Sequence, residues 1–565
     1  PLAITITFAL IGSLLLSLTV IPVLASFLMK SHASDEAEVK EGRLIRILKA
    51  IYLPVMNWAL LHRKTAVGTA LIALVAAAAL FPYIGKEFMP TMDEGNTVIL
   101  LEKQTDITLE KSLERDAPIQ QAMMELPEVV GVTSRTGADE LRMDPMGLNQ
   151  TDNFLVTKPR EEWDISLQEF HDNLREKLSQ FDNIDYAFSQ PIDMRVSEML
   201  TGVRSAMAIK LYGDDLAMLD QKAQAIEDVI KQIEGAVDVF RTDIAGQQYL
   251  QIKIRQPVIS RYGINAEDIN QLVEAAVGGS TVTEMLEQNR RVGIVVRYDQ
   301  PYRNSPEAIK NLLVPLPNNN KVPLGKLADV SLVDGPVQII RESAKRQVVI
   351  QANVEGRDVV GFVNEVQSNI ADQVELPPGY FVTVGGQFEN QQRAAKRLGL
   401  VVPIAIALIF VMLFTTFRSL LQAGLIILNI PFAMIGGVVS LFFSGLYLSV
   451  PASVGFITLF GVAVLNGVVM VSYFNQLRQS GLNIREAVRQ GAERRLRPVL
   501  MTALIASFGL LPLLTATGPG SELQRPLAVV VIGGLFTSTL LTLILLPTLY
   551  AWLEERRQNK LEASS

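Results

Sequence analysis

Seven long apolar stretches, divided unequally by one large polar region, constrain the fold of this chain more than any other feature. Each stretch is long enough to cross a bilayer as a helix, because about 20 apolar residues span the hydrocarbon core. Windows of about 19 residues place them at 2–29, 65–84, 398–416, 421–444, 451–473, 498–517 and 527–553. Residues 85–397 are too long for a loop. The sequence therefore predicts a bundle of seven transmembrane helices and a large water-exposed domain.

Basic residues predict the side of the membrane on which that domain lies. They crowd the connections 30–64 and 474–497, occupy the short turn at Arg418, and follow the last stretch from Arg556. All four clusters fall on one side if every stretch crosses once, and the positive-inside rule makes that side the cytoplasm. We therefore expect residues 85–397 to be extracytoplasmic.

The connection between the first two stretches contains a further amphipathic pattern. In residues 43–62 the apolar side chains Leu44, Leu48 and Ile51 fall on a different helix face from Arg46. This pattern is typical of a helix that lies along the membrane surface.

The first apolar stretch resembles the last. Residues 13–24 align without a gap on residues 538–549, with Pro22 opposite Pro547. A repeated terminal helix is typical of transporters built from two similar halves. One interpretation is that the chain is a second half preceded by the last helix of a missing first half; the alternative is that any two leucine-rich helices look alike.

The polar region predicts small α+β units. A first unit has strands at 97–101, 129–135 and 152–158 and a helix at 108–126 interrupted by Pro118. A second has strand 206–212, a helix capped by Asp214, and strands 237–241 and 248–254; a third runs from strand 347–354 through helix 358–372 to strand 380–384. This order favours ferredoxin-like sandwiches. Residues 259–335 interrupt it and are interpreted as an inserted domain with a hairpin around Gln288.

Other chemistries are disfavoured. The chain has no cysteine, which excludes disulfides and thiolate sites. It has no P-loop, nucleophile elbow or His-Glu-x-x-His motif, so we expect neither an enzyme nor a resident cofactor. Basic residues are concentrated in the loops already explained by the membrane, so we expect no nucleic-acid partner.

Several motifs resemble the resistance–nodulation–division (RND) superfamily of efflux permeases. They are Gly85-Lys86-Glu87-Phe88-Met89-Pro90 with Asp93-Glu94-Gly95, Pro378-Gly379-Tyr380 with Gly385-Gly386-Gln387, and Arg495-Leu496-Arg497-Pro498. Three others are most similar to the heavy-metal branch, the cobalt–zinc–cadmium type: Lys158-Pro159 with Trp163, Gln190-Pro191-Ile192 with Thr201-Gly202-Val203-Arg204, and Val462-Ala463-Val464-Leu465-Asn466-Gly467.

The resemblance implies a proton-driven pump of the bacterial inner membrane. It implies a homotrimer that works with a periplasmic adaptor and an outer-membrane channel, and a missing N-terminal half. It also implies a domain order along the chain: a transmembrane helix (1–30), a cytoplasmic connection (31–64), a transmembrane helix (65–84), porter subdomains (85–258), a docking subdomain (259–335), the end of the porter domain (336–397), five transmembrane helices (398–553) and a cytoplasmic tail (554–565).

A proton-coupled pump needs titratable groups within the membrane. None of the seven stretches contains Asp, Glu, Lys, Arg or His. The resemblance places the relay carboxylates in the absent half, and in relatives a charged residue stands where this chain has Leu465. By the same resemblance, Asn466 and Arg497 would lie beside the proton relay. The alternative for Asn466 is a packing contact, and the alternative for Arg497 is a positive-inside anchor. We therefore expect that this chain alone cannot pump.

The substrate signal rests on the same resemblance. Copper exporters use three periplasmic methionines, soft ligands that suit Cu(I). Their positions correspond to Leu100, Gln150 and Glu198, which disfavours Cu(I). Oxygen donors would suit divalent ions, and the candidates are Glu198, Asp152, Asn149 and Asp193, with solvated loop acids as the alternative.

Three functions follow in order of preference. The first is half of an exporter of divalent heavy-metal cations, and the second is an RND exporter of drugs or amphiphiles. The third is a membrane scaffold or assembly fragment that does not pump, since the relay is missing.

Overall fold

The computed structural model describes residues 2–28, 43–138, 146–201, 205–288 and 290–562. It divides into two compact units, Pro1–Trp58 and Ala59–Ser565. The first unit contains helix α1 (Leu2–Leu28) and most of helix α2 (Arg43–Leu61). Helix α2 confirms that the amphipathic stretch at 43–62 is helical.

The second unit holds the remaining apolar helices. These are α3 (Arg63–Leu80), α12 (Gln387–Phe417), α13 (Leu420–Ile427), α14 (Asn429–Phe443), α15 (Val450–Gln479), α16 (Ile484–Thr515) and α17 (Ser521–Glu562). Arg418 ends α12 in the left-handed conformation, and Ser419 caps α13 by accepting a hydrogen bond from the Gln422 amide. In the described part of the chain, seven helical segments, α1 included and α13 joined to α14, are long and apolar enough to cross a membrane.

Helices α14, α15 and α17 form the packed centre of the bundle. A Cβ built on Gly436 of α14 would lie 2.1 Å from the carbonyl oxygen of Gly533 in α17, so the two backbones touch where neither residue has a side chain. Leu459 and Ala463 of α15 complete a buried cluster with Leu535. The close packing is the small-residue contact that membrane helices use.

The polar region, residues 85–397, is called the outer region below. It contains two similar sheets rather than three units. The first is built from β1 (Thr97–Lys103), α4 (Leu109–Met124), β2 (Val129–Thr136), β3 (Gln150–Thr157), α5 (Leu167–Leu178) and β4 (Ile184–Ser189). Its strands lie in the order β2-β3-β1-β4, with every neighbouring pair antiparallel. Ile99 and Leu101 of β1 pack against Phe170 and Leu174 of α5, because alternate strand residues face the helices.

The second sheet joins segments far apart in the chain. It contains β5 (Met207–Tyr212), α7 (Leu216–Lys231), β6 (Ala236–Arg241), β13 (Ile340–Glu342), β14 (Lys345–Val354), α11 (Val359–Gln373) and β15 (Phe381–Gly386). Strand β14 pairs with β5 and β6, and β15 pairs with β5. The predicted second and third units are therefore two halves of one sheet, which share a single core. Local patterns could not show this pairing.

The polypeptide between those halves forms a separate structure. Its elements are β7 (Gln247–Ile254), α8 (Gln256–Tyr262), α9 (Ala266–Val273), β8 (Ser280–Glu287), β9 (Arg290–Val296), α10 (Pro306–Lys310), β10 (Leu313–Pro315), β11 (Lys321–Pro323) and β12 (Ala328–Gly335). Strand β7 pairs with β12 and not with the second sheet, contrary to the sequence interpretation. Strands β8 and β9 form the predicted hairpin at Gln288, with every residue of both strands exposed.

Two local predictions were wrong. Helix α4 continues through Pro118, because a proline removes one backbone donor but the helix still buries Ile119 and Met123 against the first sheet. The cap of α7 is Asp215 instead of Asp214, since it is the Asp215 carboxylate that accepts a hydrogen bond from the Met218 amide.

Candidate functional site

A cavity of about 410 Å³ lies between the two sheets of the outer region. The first sheet and its helices contribute His171, Phe188 and Ser189; the second contributes Asp238 and Glu355. The Ser189 hydroxyl is buried and has no hydrogen-bond partner among the described residues. The cavity thus contains several groups able to bind a polar or charged ligand.

An arginine on α5 links the two sides of this cavity. The Arg175 guanidinium lies 3.3 Å from Asp238 Oδ1 of β6 and 2.6 Å from Glu355 Oε1, just after β14. The Asp238 side chain is only 2% exposed, so Arg175 compensates a nearly buried charge. Arg175, Asp238 and Glu355, which we call the clasp, join the two sheets at this edge.

Asp238 holds the clasp in place through an unusual backbone. Its φ is 51°, in the left-handed region that residues other than glycine and asparagine seldom adopt. The side chain accepts hydrogen bonds from the Phe188 amide at 3.4 Å and from Asn353 Nδ2 at 3.0 Å. Such conformations persist only where surrounding contacts determine them, and here those contacts come from both sheets.

His171 forms part of the wall beside the clasp. Its ring stacks on Phe188 with centroids 5.0 Å apart. Burial, followed by repulsion from Arg175, lowers the pKa of His171 to about 4. The imidazole is therefore neutral at physiological pH, which is the form that can bind a metal ion.

A short helix, α6 (Pro191–Thr201), borders the cavity and carries two predicted ligands. The Glu94 carboxylate caps its first turn by accepting hydrogen bonds from the amides of Ile192 and Asp193, at 2.6 and 2.9 Å. Burial, with the nearby Glu94 charge, raises the pKa of Asp193. Glu94 is thus used by the helix N-terminus, which leaves Asp193 as the carboxylate of this end that lines the cavity.

The other three predicted ligands are already engaged. Asp152 is buried and forms an ion pair with Arg135 at 2.6 Å. Asn149 is buried and donates to the carbonyl of Lys103. Glu198 lies 3.0 Å from Arg195, one turn earlier on α6.

The structure therefore brings Asp193 to the cavity and leaves the other three outside its lining. Among the described residues, no three His, Cys, Asp or Glu side chains lie close enough together to hold a metal ion. A metal-binding arrangement of the predicted ligands would need a movement of α6.

The two relay neighbours lie in different environments. Asn466 is buried inside the bundle, and its Nδ2 has no partner among the described residues. The adjacent Leu465 is 53% exposed and points away from the packed centre. Arg497 is exposed and lies within α16, thirteen residues after that helix begins at Ile484 and directly before the predicted apolar stretch 498–517.

One motif joins the outer region to the bundle through backbone hydrogen bonds. The Leu448 amide donates to the Gly85 carbonyl at 2.8 Å, and the Lys86 amide donates to Asp358 at the start of α11. A Cβ on Gly85 would lie 2.6 Å from both Asp358 and Tyr447, so only glycine fits there. Burial raises the pKa of the neighbouring Glu87 to about 7. We call residues 85–88 the strap.

Sequence reasoning did not identify the clasp. Arg175 lies on the face of an amphipathic helix where charged residues are usual, and Asp238 and Glu355 lie far from it in the chain. Only Glu355 carried a signal, because it directly follows a predicted strand, whereas the pairing of charges across two sheets is a tertiary property.

Comparison with known proteins agrees with this architecture. The model of the AcrB/AcrD/AcrF family matches residues 1–554. The chain belongs to this family of RND permeases and has their fold, with apolar helices and mixed α/β domains.

Individual relatives place it near the heavy-metal branch. The chain is 39% identical to the cation efflux system protein CzcA of Alcaligenes sp. strain CT14, over 97% of this chain and 52% of that protein. It is 36% identical to the nickel and cobalt resistance protein CnrA of Cupriavidus metallidurans, over 99% of this chain and 52% of the relative. A crystal structure of a heavy metal efflux pump matches with a TM-score of 0.82 and 36% identity, covering 91% of this chain and 52% of the other. The chain thus spans about half the length of these relatives.

Proposed function

We propose that this chain is the second half of a proton-driven exporter of divalent heavy-metal cations in the bacterial inner membrane. Its seven apolar segments would be transmembrane helices, and its two sheets would be periplasmic ferredoxin-like porter units. The strand orders β2-β3-β1-β4 and β6-β14-β5-β15 support that assignment, because both follow the same split β-α-β plan. Relatives named for resistance to cobalt, zinc, cadmium and nickel support the substrate class.

The observation that carries the proposal is the acidic cavity between the sheets. Asp193, Asp238 and Glu355 offer carboxylate oxygens, and His171 offers a neutral imidazole. A movement of the cavity walls would have to bring them together, because among the described residues no three such side chains lie close enough to hold a metal ion. This combination suits Zn(II) or Co(II) better than Cu(I), which prefers thioethers. Because Asp238 and Glu355 are held by Arg175, a cation would first meet Asp193.

The lining is less suited to amphiphiles. His171 and Phe188 are the only aromatic side chains among the described residues of the wall. Pockets for apolar small molecules are lined mainly by hydrophobic and aromatic groups. A drug substrate is therefore the weaker alternative.

Proton coupling and assembly would depend on parts of the protein other than the cavity between the sheets. The bundle's exposed Leu465 face would meet the first half, which would supply the relay carboxylates. Residues 259–335 would be the docking subdomain, through which a homotrimer contacts the outer-membrane channel, with a periplasmic adaptor around it. The non-pumping scaffold would describe the chain if no first half is joined to it.

The test is to replace the two acidic residues of α6 in a pump completed with a relative's first half. We expect Asp193→Asn to lower zinc and cobalt tolerance several-fold, because the cavity loses a charged oxygen ligand. Adding Glu198→Gln should lower it further, since a movement of α6 would bring that carboxylate from Arg195 to the cation. Growth across a metal gradient gives the measurement, with protein level checked by immunoblot.

The matched control is Glu110→Gln, which neutralises an exposed carboxylate on α4. It should leave tolerance unchanged. Full tolerance in the Asp193→Asn/Glu198→Gln double variant would refute the acidic site and favour amphiphile export.

A further inference from the structure

An open cavity of about 810 Å³ lies where α12 ends and α13 begins, at the same end of the bundle as the ends of α15 and α17. Three guanidinium groups line it, those of Arg418, Arg478 and Arg557, and none of its described lining residues is acidic. By the positive-inside rule this is the cytoplasmic end of the helices. A triply basic cavity at that level favours an anionic ligand.

The floor of the cavity is a hydrogen-bonded network in which the acidic group, Glu554, is already paired. Glu554 is 3% exposed; it accepts from Arg478 Nη1 at 2.9 Å and from Gln422 Nε2 at 3.1 Å. Gln422 and Asn475 exchange two further hydrogen bonds, and Tyr550 donates to Asn475. The negative charge of Glu554 is thus neutralised mainly by Arg478.

Two arginines remain on the rim. Arg557 is 58% exposed and lies 4.0 Å from Glu554, at the limit of an ion pair. Arg418 is exposed, and its left-handed backbone conformation sets it in the sharp turn between α12 and α13. Three guanidiniums against one carboxylate leave a net charge of about +2 around the cavity.

Apolar side chains continue from the cavity along the outside of α12. Phe414 is at its edge, and Val411 and Ile404 follow it along the same helix face with 56% and 51% of their surface exposed. A charged pocket at the end of an apolar helix surface matches the two parts of a phospholipid: a phosphate group at the interface and acyl chains in the membrane.

We propose that this cavity binds the headgroup of an anionic phospholipid, with its acyl chains lying along α12. Arg418 and Arg557 contact the phosphate, while Arg478 supports the floor through Glu554. Neither the family motifs nor the proposed export function involves these residues, so the proposal stands independently of the substrate.

Native mass spectrometry of the chain in neutral detergent tests the proposal. Phosphatidylglycerol and phosphatidylethanolamine with identical acyl chains are added separately. We expect the wild type to retain the anionic lipid preferentially, and Arg418→Gln/Arg557→Gln to lower its retention on the order of tenfold, since each basic residue near an anionic surface contributes appreciably. Arg478 is left unchanged, because its loss would strip a partner from buried Glu554.

The matched control is Arg489→Gln/Arg494→Gln, which removes the same charge from exposed positions on α16. It should keep the preference for the anionic lipid. If the first double variant does not fold, as judged by circular dichroism, the single variants Arg418→Gln and Arg557→Gln replace it.

A competition with millimolar inorganic phosphate separates lipid from free anion. Retention of phosphatidylglycerol under that competition supports the proposal. Complete displacement by phosphate, equal retention of the two lipids by the wild type, or unchanged retention in the arginine variants would each overturn it.

Discussion

The central helices of the bundle and its outer helices have similar hydropathy but opposite degrees of packing. In the apolar windows of α13–α14, α15 and α17, half or more of the residues are buried within the chain, against 6% in α12 and 11% in α16. The central helices meet through glycines, as at Gly436 and Gly533, whereas α16 presents large side chains such as Ile505 and Phe508 to the outside. Apolar composition therefore shows that a helix can cross a membrane, while small residues show where it meets another helix.

The same contrast applies to the outer region. Its two sheets are joined by the clasp, a few charged groups with little exposure, whereas the β8–β9 hairpin contacts little of its own chain. In the bundle, the central helices are held together by close packing of small residues. Between the two sheets, the contact is made by charged side chains. Four perturbations test this comparison.

The largest effect is expected at the central glycine contact. In Gly436→Leu the new side chain would collide with the backbone of α17, which we expect to cost about 3 kcal/mol or more or to prevent folding. Gly509→Leu is the control, because a Cβ at Gly509 on α16 meets nothing within 4 Å; it should cost less than about 0.5 kcal/mol. Thermal unfolding in detergent measures both, and equal losses would contradict the contrast between central and outer helices.

A smaller loss is expected from the clasp. Arg175→Gln leaves Asp238 nearly buried without its cation, and we expect it to destabilise the outer region by roughly 2–3 kcal/mol. Lys111→Gln breaks an ion pair in which both side chains are 65% exposed; this control should cost less than about 0.5 kcal/mol. Denaturant unfolding followed by tryptophan fluorescence would report the difference, and a neutral Arg175→Gln would show that the sheets do not depend on the clasp.

Acidification should weaken the outer region through His171. Its pKa is lowered to about 4 in the folded protein, so below its ordinary value of about 6.5 the unfolded chain binds the additional proton. Stability is complete above about pH 6.5 and falls as the pH drops toward 4, by roughly 1–2 kcal/mol at pH 5. Raised carboxylate pKa values, such as that of Asp193, act in the opposite direction, so the measured quantity is the difference between wild type and His171→Gln.

The variant should lose less stability between pH 7 and pH 5 than the wild type does. His62→Gln, at an exposed histidine preceding α3, is the control and should follow the wild type. Parallel pH profiles for wild type and His171→Gln would contradict the assignment.

The smallest effect on stability is expected from the hairpin. Deleting residues 284–298 removes an exposed element and should change the unfolding free energy by less than about 1 kcal/mol. If the hairpin reaches a neighbouring protomer, the deletion should nevertheless weaken trimer assembly, which light scattering after size-exclusion chromatography measures. A trimer of unchanged stability would leave the hairpin without an assembly role.

Periodicity and composition predicted the elements of this protein well but not their long-range pairing. The apolar helices, the β8–β9 hairpin and most strands lie within a few residues of their predicted positions, because each depends on a local pattern. The pairing of β14 with β5 joins segments about 140 residues apart in the chain, and no local pattern encodes it. The prediction of three units failed for that reason.

The candidate site was predictable only in part. Asp193 was recognised through the motif around it, but its role as a cavity residue depends on Glu94, whose carboxylate begins α6. The clasp depends on a left-handed aspartate, and φ cannot be inferred from the identity of Asp238. Chemistry that arises from backbone conformation and from contacts between distant segments is not visible in a residue pattern.

The strap has a mechanical consequence. It binds the loop before α15 and the start of α11 mainly through main-chain amides and carbonyls, so it transmits displacement without relying on the chemistry of most of its side chains. A shift of the helices joined to it would reach the second sheet as a displacement of the main chain itself. Such a linkage tolerates exchange of Lys86 or Phe88, but it fails if the chain is lengthened by a residue or if Gly85 acquires a side chain.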